Sequence, residues 1–180
     1  MLENMKVVSI TSSDISNGIG IRCTVWVSGC SHKCPGCHNP ELADYDYGRY
    51  KLLSPEVFET IEKELNKDYI DGITFSGGDP LDQDKRSIRE LRTILEWIKK
   101  HWPNKSIWIY TGGLIDDLVK VPVMLSTLRF VDVLVDGPFV LEKRDITIPF
   151  RGSTNQRIID VQKTLENKNV VEISDEVFRK

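Results

Sequence analysis

No apolar run in this 180-residue chain approaches the roughly 20 residues needed to cross a bilayer, so no membrane span is expected. A net charge of −3 leaves no basic footprint, and nucleic acid is not expected as a partner. The start, Met1-Leu2-Glu3-Asn4-Met5-Lys6, has neither a basic n-region nor a long apolar h-region, and a cytoplasmic location is expected. Internal repeats, low-complexity tracts and linker-like stretches are also missing. The expectation is therefore one domain over residues 1–180, long enough for a substantial core. The glycines do not spell a nucleotide fingerprint. Gly18-Ile19-Gly20 lacks the third glycine, and there is no Gly-x-x-x-x-Gly-Lys-Ser/Thr run. There are only four cysteines, and a single Cys-x-x-Cys hook, whereas zinc motifs usually pair two.

Three of those four cysteines stand in the run Cys30-x-x-x-Cys34-x-x-Cys37, just past a strand-like segment. Thiolates bind soft metals, and clustered cysteines without an export signal point to metal or redox chemistry rather than disulfides. An iron–sulfur cube has four irons, each needing a ligand. Three ligands from one tight loop would leave one iron open, and an open position is where a metal binds substrate. Chemistry is thus favoured over electron storage.

The rest of the chain alternates strand and helix signals, which predicts parallel βα units. Strands are expected near Val7–Ile10, Ile21–Ser28, Ile70–Ser76, Ser106–Tyr110, Val131–Val135 and Arg157–Val161. In the second of these, Ile21, Cys23, Val25 and Val27 share one face. Ser54 and Pro55 start a helix with the stripe Val57, Phe58, Ile61 and Leu65. A second helix, from about Asp84 to Lys100, shows Ile88, Leu91, Ile94, Leu95 and Ile98 at helical spacing, with Pro103 stopping it. Short helical segments are expected from Leu114, interrupted at Pro122, and from Gln162. The long stretch Gly29–Leu52 reads as loop.

The special residues fall in a pattern. The cysteine loop, Gly77-Gly78-Asp79, Thr111-Gly112-Gly113 and Asp136-Gly137 each follow the C-terminal end of a strand. In parallel α/β architectures that edge holds the active site. The chain is too short for an eight-stranded barrel of about 250 residues. The expected fold is an α/β partial, open (βα) barrel with about five to six mostly parallel strands. Its missing side would admit a loop of another protein.

Together these motifs resemble the radical S-adenosylmethionine enzymes, and within them the activating proteins of anaerobic ribonucleoside-triphosphate reductase. The resemblance runs from Asn17 to Gln156. It includes Asn17-Gly18-x-Gly20-x-Arg22, Val27-Ser28-Gly29-Cys30, Gly36-Cys37-x-Asn39, Ser76-Gly77-Gly78-Asp79-Pro80-Leu81, Ile107-Trp108-Ile109-Tyr110-Thr111-Gly112, Val133-Leu134-Val135-Asp136-Gly137 and Arg151-Gly152-Ser153-x-Asn155-Gln156. The cysteine spacing alone marks the superfamily; the other segments narrow it.

The resemblance implies that Cys30, Cys34 and Cys37 ligate a 4Fe–4S cluster whose open iron chelates the methionine part of S-adenosylmethionine. It implies that Gly77, Gly78 and Asp79 receive the methionine ammonium, with the glycines allowing close backbone approach and the carboxylate favouring a cation. Gly78→Val is expected to block that approach with the fold intact. Backbone groups around Gly36, Cys37 and His38 would hold adenine, and Thr111 joins the cofactor-binding set. The reduced cluster would cleave S-adenosylmethionine, and the deoxyadenosyl radical would take a hydrogen from a glycine of the reductase large subunit. A low-potential electron donor is the second implied partner. No side chain other than the cysteines is assigned a catalytic role. His38 follows the third cysteine where the family more often has tyrosine, and Cys-His-Asn also occurs in the activase of pyruvate formate-lyase. Activation of that or another glycyl-radical enzyme is the alternative.

Plainer readings compete. The cysteines would suit a zinc site completed by His32 or His38, or a non-catalytic metal-binding or electron-transfer module. Cys34-x-x-Cys37-His38 also spells a c-type haem attachment, but that reading requires export. Cys23 reads as a small buried hydrophobe. His101 reads as solvated or dipole-compensating at a helix end. Asp136-Gly137 is equally an ordinary turn, and Arg151 suggests polar contacts at the cofactor or partner edge. Leu141–Pro149 matches no motif.

Overall fold

The computed structural model describes residues 4–178. The reading of Met1–Glu3 and the two ends of the expected domain lie outside the described residues. Within them, β1 (Lys6–Asp14), β2 (Arg22–Val27), β3 (Tyr50–Lys51), β4 (Gly72–Gly77), β5 (Ser106–Tyr110), β6 (Val133–Asp136) and β7 (Arg157–Asp160) form one sheet in the order β3-β1-β2-β4-β5-β6-β7. The helices are α1 (Pro55–Leu65), α2 (Lys85–His101), α3 (Ile115–Leu118), α4 (Pro122–Leu128) and α5 (Val161–Asn167).

The central strands β2, β4, β5 and β6 run parallel, as the alternation predicts. The flanks correct that expectation: β1 is antiparallel to β2 and β3, and β7 is antiparallel to β6. The reason is connection length. A parallel return needs a crossover of about a dozen residues or more, usually helical. Ile15–Ile21 is too short for one, and Gly137–Gln156 holds only a 3-10 turn, at Leu141–Lys143. There are seven strands rather than five or six, because Tyr50–Lys51, in the stretch read as loop, pairs with Lys6 and Val7. The sheet is open, with β3 and β7 at its two edges.

Each helix starts where local chemistry directs. Asp84 caps α2 by accepting from the amides of Arg86 and Ser87, and Lys99, Lys100 and His101 occupy its last turn, where the helix dipole favours cations. Ser54 stands in extended conformation before α1, with Pro55 in the first turn, but its hydroxyl makes no capping bond. The apolar stripes Val57, Ile61, Leu65 and Ile88, Leu91, Ile94, Leu95, Ile98 are buried against Cys23, Val25, Val27, Ile73, Phe75, Ile107 and Ile109. Each such aliphatic side chain removed from water contributes roughly 1.5–3 kcal/mol. The alternate residues of the central strands face the other way. There Trp108, Val133, Val135 and Ile158 form a second cluster, with Tyr110, Phe150, Ile173 and Phe178 packed on it. The sheet thus has a helix-covered face and a second face on which Phe150, Ile173 and Phe178, from the segments after β6 and β7, bury Trp108, Val135 and Ile158.

Candidate functional site

Because β2, β4, β5 and β6 are parallel and in register, their C-terminal ends form one edge. Val27 lies opposite Gly77, and Tyr110 opposite Val135. The loops that leave this edge hold the residues singled out in the sequence.

The cysteine loop is stitched to the end of β4 through backbone. The amide of Gly78 donates to the Val27 carbonyl and that of Asp79 to the Gly29 carbonyl, each at 2.8 Å. In turn Gly29 and Cys30 donate to the carbonyls of Leu42 and Ala43, which draws the far end of the loop back onto its start. The side-chain amide of Gln83 donates to the carbonyls of Ser28, Gly29 and Asp79, fastening both loops at once. This closeness needs glycine. Gly77 has φ +113, and a Cβ there would sit 2.5 Å from the Val27 carbonyl oxygen. A Cβ at Gly78 would lie 2.5 Å from the Gly29 carbonyl oxygen and 2.7 Å from that of Leu42. The expectation that Gly78→Val leaves the fold intact is therefore overturned: the space a side chain needs is filled by backbone that holds the cysteine loop.

Asp79 is fully buried at the centre of this edge. Its Oδ2 accepts from the Thr111 hydroxyl at 2.9 Å and the Gly112 amide at 2.8 Å, and stands 3.1 Å from His32 Nε2. Its Oδ1 accepts from the amides of Leu81 and Asp82. A buried carboxylate is tolerated only when paired and hydrogen-bonded, and this one is. It joins the ends of β4 and β5 to the cysteine loop, and the bond to its carboxylate raises the His32 pKa above the ordinary imidazole value. The charge that the sequence suggested for a ligand cation is thus engaged within the chain.

The four cysteines are all free thiols, and they separate by surroundings. Cys23 is fully buried in the main core, and burial pushes its thiol up to about 12, far from a reactive thiolate. Cys30 and Cys34 are half-buried and Cys37 is exposed. Burial pushes the Cys30 thiol up to about 11. The donor set, three free cysteines on one loop pinned by backbone to the end of β4, fits a thiolate-bound cluster.

Gly36 lies under Leu141: a Cβ on it would meet the Leu141 side chain at 2.9 Å and Phe139 at 3.5 Å. The segment after β6, which matches no motif, therefore roofs the cysteine loop. His38 is exposed. Asp136 and Arg151, whose roles the sequence left open, both make structural contacts. Asp136 is fully buried, accepts from the Ile115 amide and pairs with Arg157 at 2.7 Å, fixing the start of α3 and the join of β6 to β7. Arg151 pairs with Asp175 and donates toward the carbonyls of Pro149 and Gln156, which ties down the C-terminal segment. His101 is exposed in the last turn of α2 and bonds the Trp97 carbonyl. Three residues the sequence reading missed are Asp82, Gln83 and Tyr45. Asp82 accepts from the Ser31 amide at 2.5 Å, and the Tyr45 hydroxyl donates to the Asp82 carbonyl. For Asp82 and Gln83 the only signal is position, two polar residues within four of Asp79 after the same strand; Tyr45, in the loop Gly29–Leu52, has none. A cavity of about 920 Å³ lies away from this edge, between α3, α4 and α5, and none of the cysteines or strand-end glycines lines it.

Comparison with known proteins identifies the class first. A family model described as a 4Fe-4S single cluster domain matches residues 16–159, which include the cysteine loop and all four parallel strand ends. The chain is 37% identical over 157 residues to the anaerobic ribonucleoside-triphosphate reductase-activating protein of Haemophilus influenzae, covering 86% of this chain and 97% of that one. It is 38% identical over 145 residues to the Escherichia coli K12 protein of the same name, covering 79% and 90%. Against the protein of that name from Enterobacteria phage T4 it is 37% identical over 146 residues, covering 81% and 87%. The chain belongs to the family of anaerobic ribonucleoside-triphosphate reductase-activating proteins.

Proposed function

We propose that this protein activates an anaerobic ribonucleoside-triphosphate reductase by the radical S-adenosylmethionine reaction, as one domain acting in the cytoplasm. One observation carries the reading: the three-cysteine loop is pinned by backbone to Gly77-Gly78-Asp79, at the shared edge of four parallel strands. When bound, a 4Fe–4S cluster would supply the electron that cleaves S-adenosylmethionine, and the radical so formed would take hydrogen from a glycine of the reductase large subunit.

The chain's own residues serve that reaction by holding and shielding. Cys30, Cys34 and Cys37 would ligate the cluster through three of its irons. The backbone carbonyls of Gly77 and Gly78 would receive the methionine ammonium beside the loop on which these glycines pack, and Thr111 and Asp79 hold that edge in place. The loop backbone at Gly36, Cys37 and His38 would hold adenine, with Leu141 and Phe139 limiting water above Gly36. The C-terminal edge of the open sheet, where the cysteine loop and Gly77-Gly78 leave it, would receive the reductase's glycine loop as the open side of a partial barrel. A low-potential donor would reduce the cluster.

The test combines reconstituted protein, reductant, S-adenosylmethionine and an anaerobic ribonucleoside-triphosphate reductase without oxygen. A glycyl radical doublet on the reductase, seen by electron paramagnetic resonance, is the expected outcome. Cleavage with a radical on pyruvate formate-lyase but not on the reductase would move the assignment to another activase. Absence of cleavage by the reduced, cluster-loaded protein would end the reading.

A further inference from the structure

We propose that the cluster-free chain holds a single zinc-like divalent cation on Cys30, His32 and Asp82, in a site that shares one cysteine with the cluster loop and leaves Cys34 and Cys37 out. One ligand atom from each of these three residues lies within 4.8 Å of the others. In a tetrahedral zinc site the ligand atoms stand about 3.3–3.8 Å apart, given metal–ligand bonds of about 2.0–2.3 Å. The closing movement required is therefore about 1 Å or somewhat more. Cys30 and Asp82 are only partly buried and His32 is exposed, so side-chain rotation can supply it.

Two features favour a cation at the trio. First, His32 Nε2 stands 3.1 Å from the carboxylate of Asp79, which is itself fixed by Thr111, Gly112, Leu81 and Asp82. A neutral imidazole that donates from Nε2 keeps its lone pair on Nδ1. That is the carboxylate–histidine arrangement which orients a metal-binding imidazole and raises its basicity. Second, Asp82 is tied to the same loop, because its Oδ2 accepts from the amide of Ser31, the residue between Cys30 and His32 in the chain. Its Oδ1 accepts no hydrogen bond among the described residues and is open to a metal. One thiolate, one carboxylate and one neutral imidazole balance the charge of a dication, and a fourth position is left for water. Nitrogen, sulfur and oxygen donors together favour zinc or cobalt over magnesium or calcium, which prefer oxygen alone.

Since Cys30 serves both sites, a cation held here and a three-cysteine cluster exclude one another. The cation site stands whether or not the cluster reading does.

The experiment titrates the reduced, metal-free full chain with Co²⁺ under anaerobic conditions. One equivalent should bind, with a sulfur-to-cobalt charge-transfer absorption and the intense visible bands of tetrahedral coordination, and Zn²⁺ should displace it. Cys30→Ser should remove the charge-transfer absorption. His32→Gln and Asp82→Asn should each weaken binding about tenfold or more. Cys37→Ala should bind Co²⁺ like the parent. Far-ultraviolet circular dichroism checks the fold of each variant, and His32, being exposed, gives a second substitution should Asp82→Asn disturb its loop. The proposal is overturned if Cys37→Ala loses the absorption as fully as Cys30→Ser, or if His32→Gln and Asp82→Asn bind as tightly as the parent. Reconstitution with iron and sulfide keeps the two readings apart: Cys37→Ala should lose the cluster but keep cobalt, and His32→Gln the reverse.

Discussion

Gly78 lies backbone against backbone on Gly29, so close that a Cβ on Gly78 would sit 2.5 Å from the Gly29 carbonyl oxygen. This contact joins the end of β4 to the start of the cysteine loop. It makes the glycine a requirement of the fold before any ligand arrives.

Gly78→Val should therefore lower the melting temperature and the iron content after reconstitution together. Backbone must move to make room, and the loop that presents Cys30 moves with it. Thermal melts beside iron and sulfide determination check this. A variant that melts like the parent yet loses only the spectral response to S-adenosylmethionine would restore the simpler ligand-approach explanation.

Cys23 and the loop cysteines should part company on substitution. Cys30→Ala, Cys34→Ala and Cys37→Ala should each abolish cluster retention and S-adenosylmethionine cleavage. Cys23→Ala should keep both, at a cost of about 1 kcal/mol for the small cavity left in the core. Ultraviolet–visible and electron paramagnetic resonance spectra after reconstitution decide it. Loss of the cluster in Cys23→Ala would contradict the ligand assignment.

Thr111→Val removes one of the donors on which buried Asp79 depends. A hydrogen bond to a charged group is worth about 1.5–3 kcal/mol, so stability should fall by that order. Cofactor binding should weaken too, because the Gly112 edge loses an anchor. Denaturant melts give the first effect. The change in the reduced-cluster spectrum on adding S-adenosylmethionine gives the second. Parental values of both would show that Thr111 merely fills space.

Asp14 should contribute to acid sensitivity. Burial alone would raise its pKa, but bonds from the Ser16 amide, Asn17 and Thr24 outweigh that and hold it below the ordinary carboxylate value. A carboxyl whose folded value is depressed stabilises the protein above its unfolded value, and the contribution is lost as pH falls through the folded one. Asp14→Asn should thus be less stable than the parent near neutrality, and the two should converge below about pH 4. Melting temperatures measured across that range test the sign; parallel curves would refute it.

Much of the fold was legible because its signals are local. The stripe from Ile88 to Ile98, the Asp84 cap and the strand Ser106–Tyr110 each express a period or a cap within one segment, and the structure has them there. Strand direction is not a local property. The flanking strands β1 and β7 turned antiparallel because short or helix-free connections precluded a crossover, and β3, at the edge beyond β1, is a two-residue strand with no periodicity to read.

For the site, sequence by itself determined which residue types are available and where they leave the sheet. Cysteines at fixed spacing and glycines after strand ends are covalent facts of the chain, and they sufficed to predict that the loops carrying them leave one edge of the sheet. Only the tertiary structure decided what those residues do to one another. The engagement of Asp79 by Thr111, Gly112 and His32 joins segments far apart in sequence, as do the Asp136–Arg157 pair, the Leu141 roof over Gly36 and the meeting of Asp82 with Cys30. Hydrogen bonds and ion pairs act over a few ångströms, so they exist only once the sheet has brought its loops to a common edge.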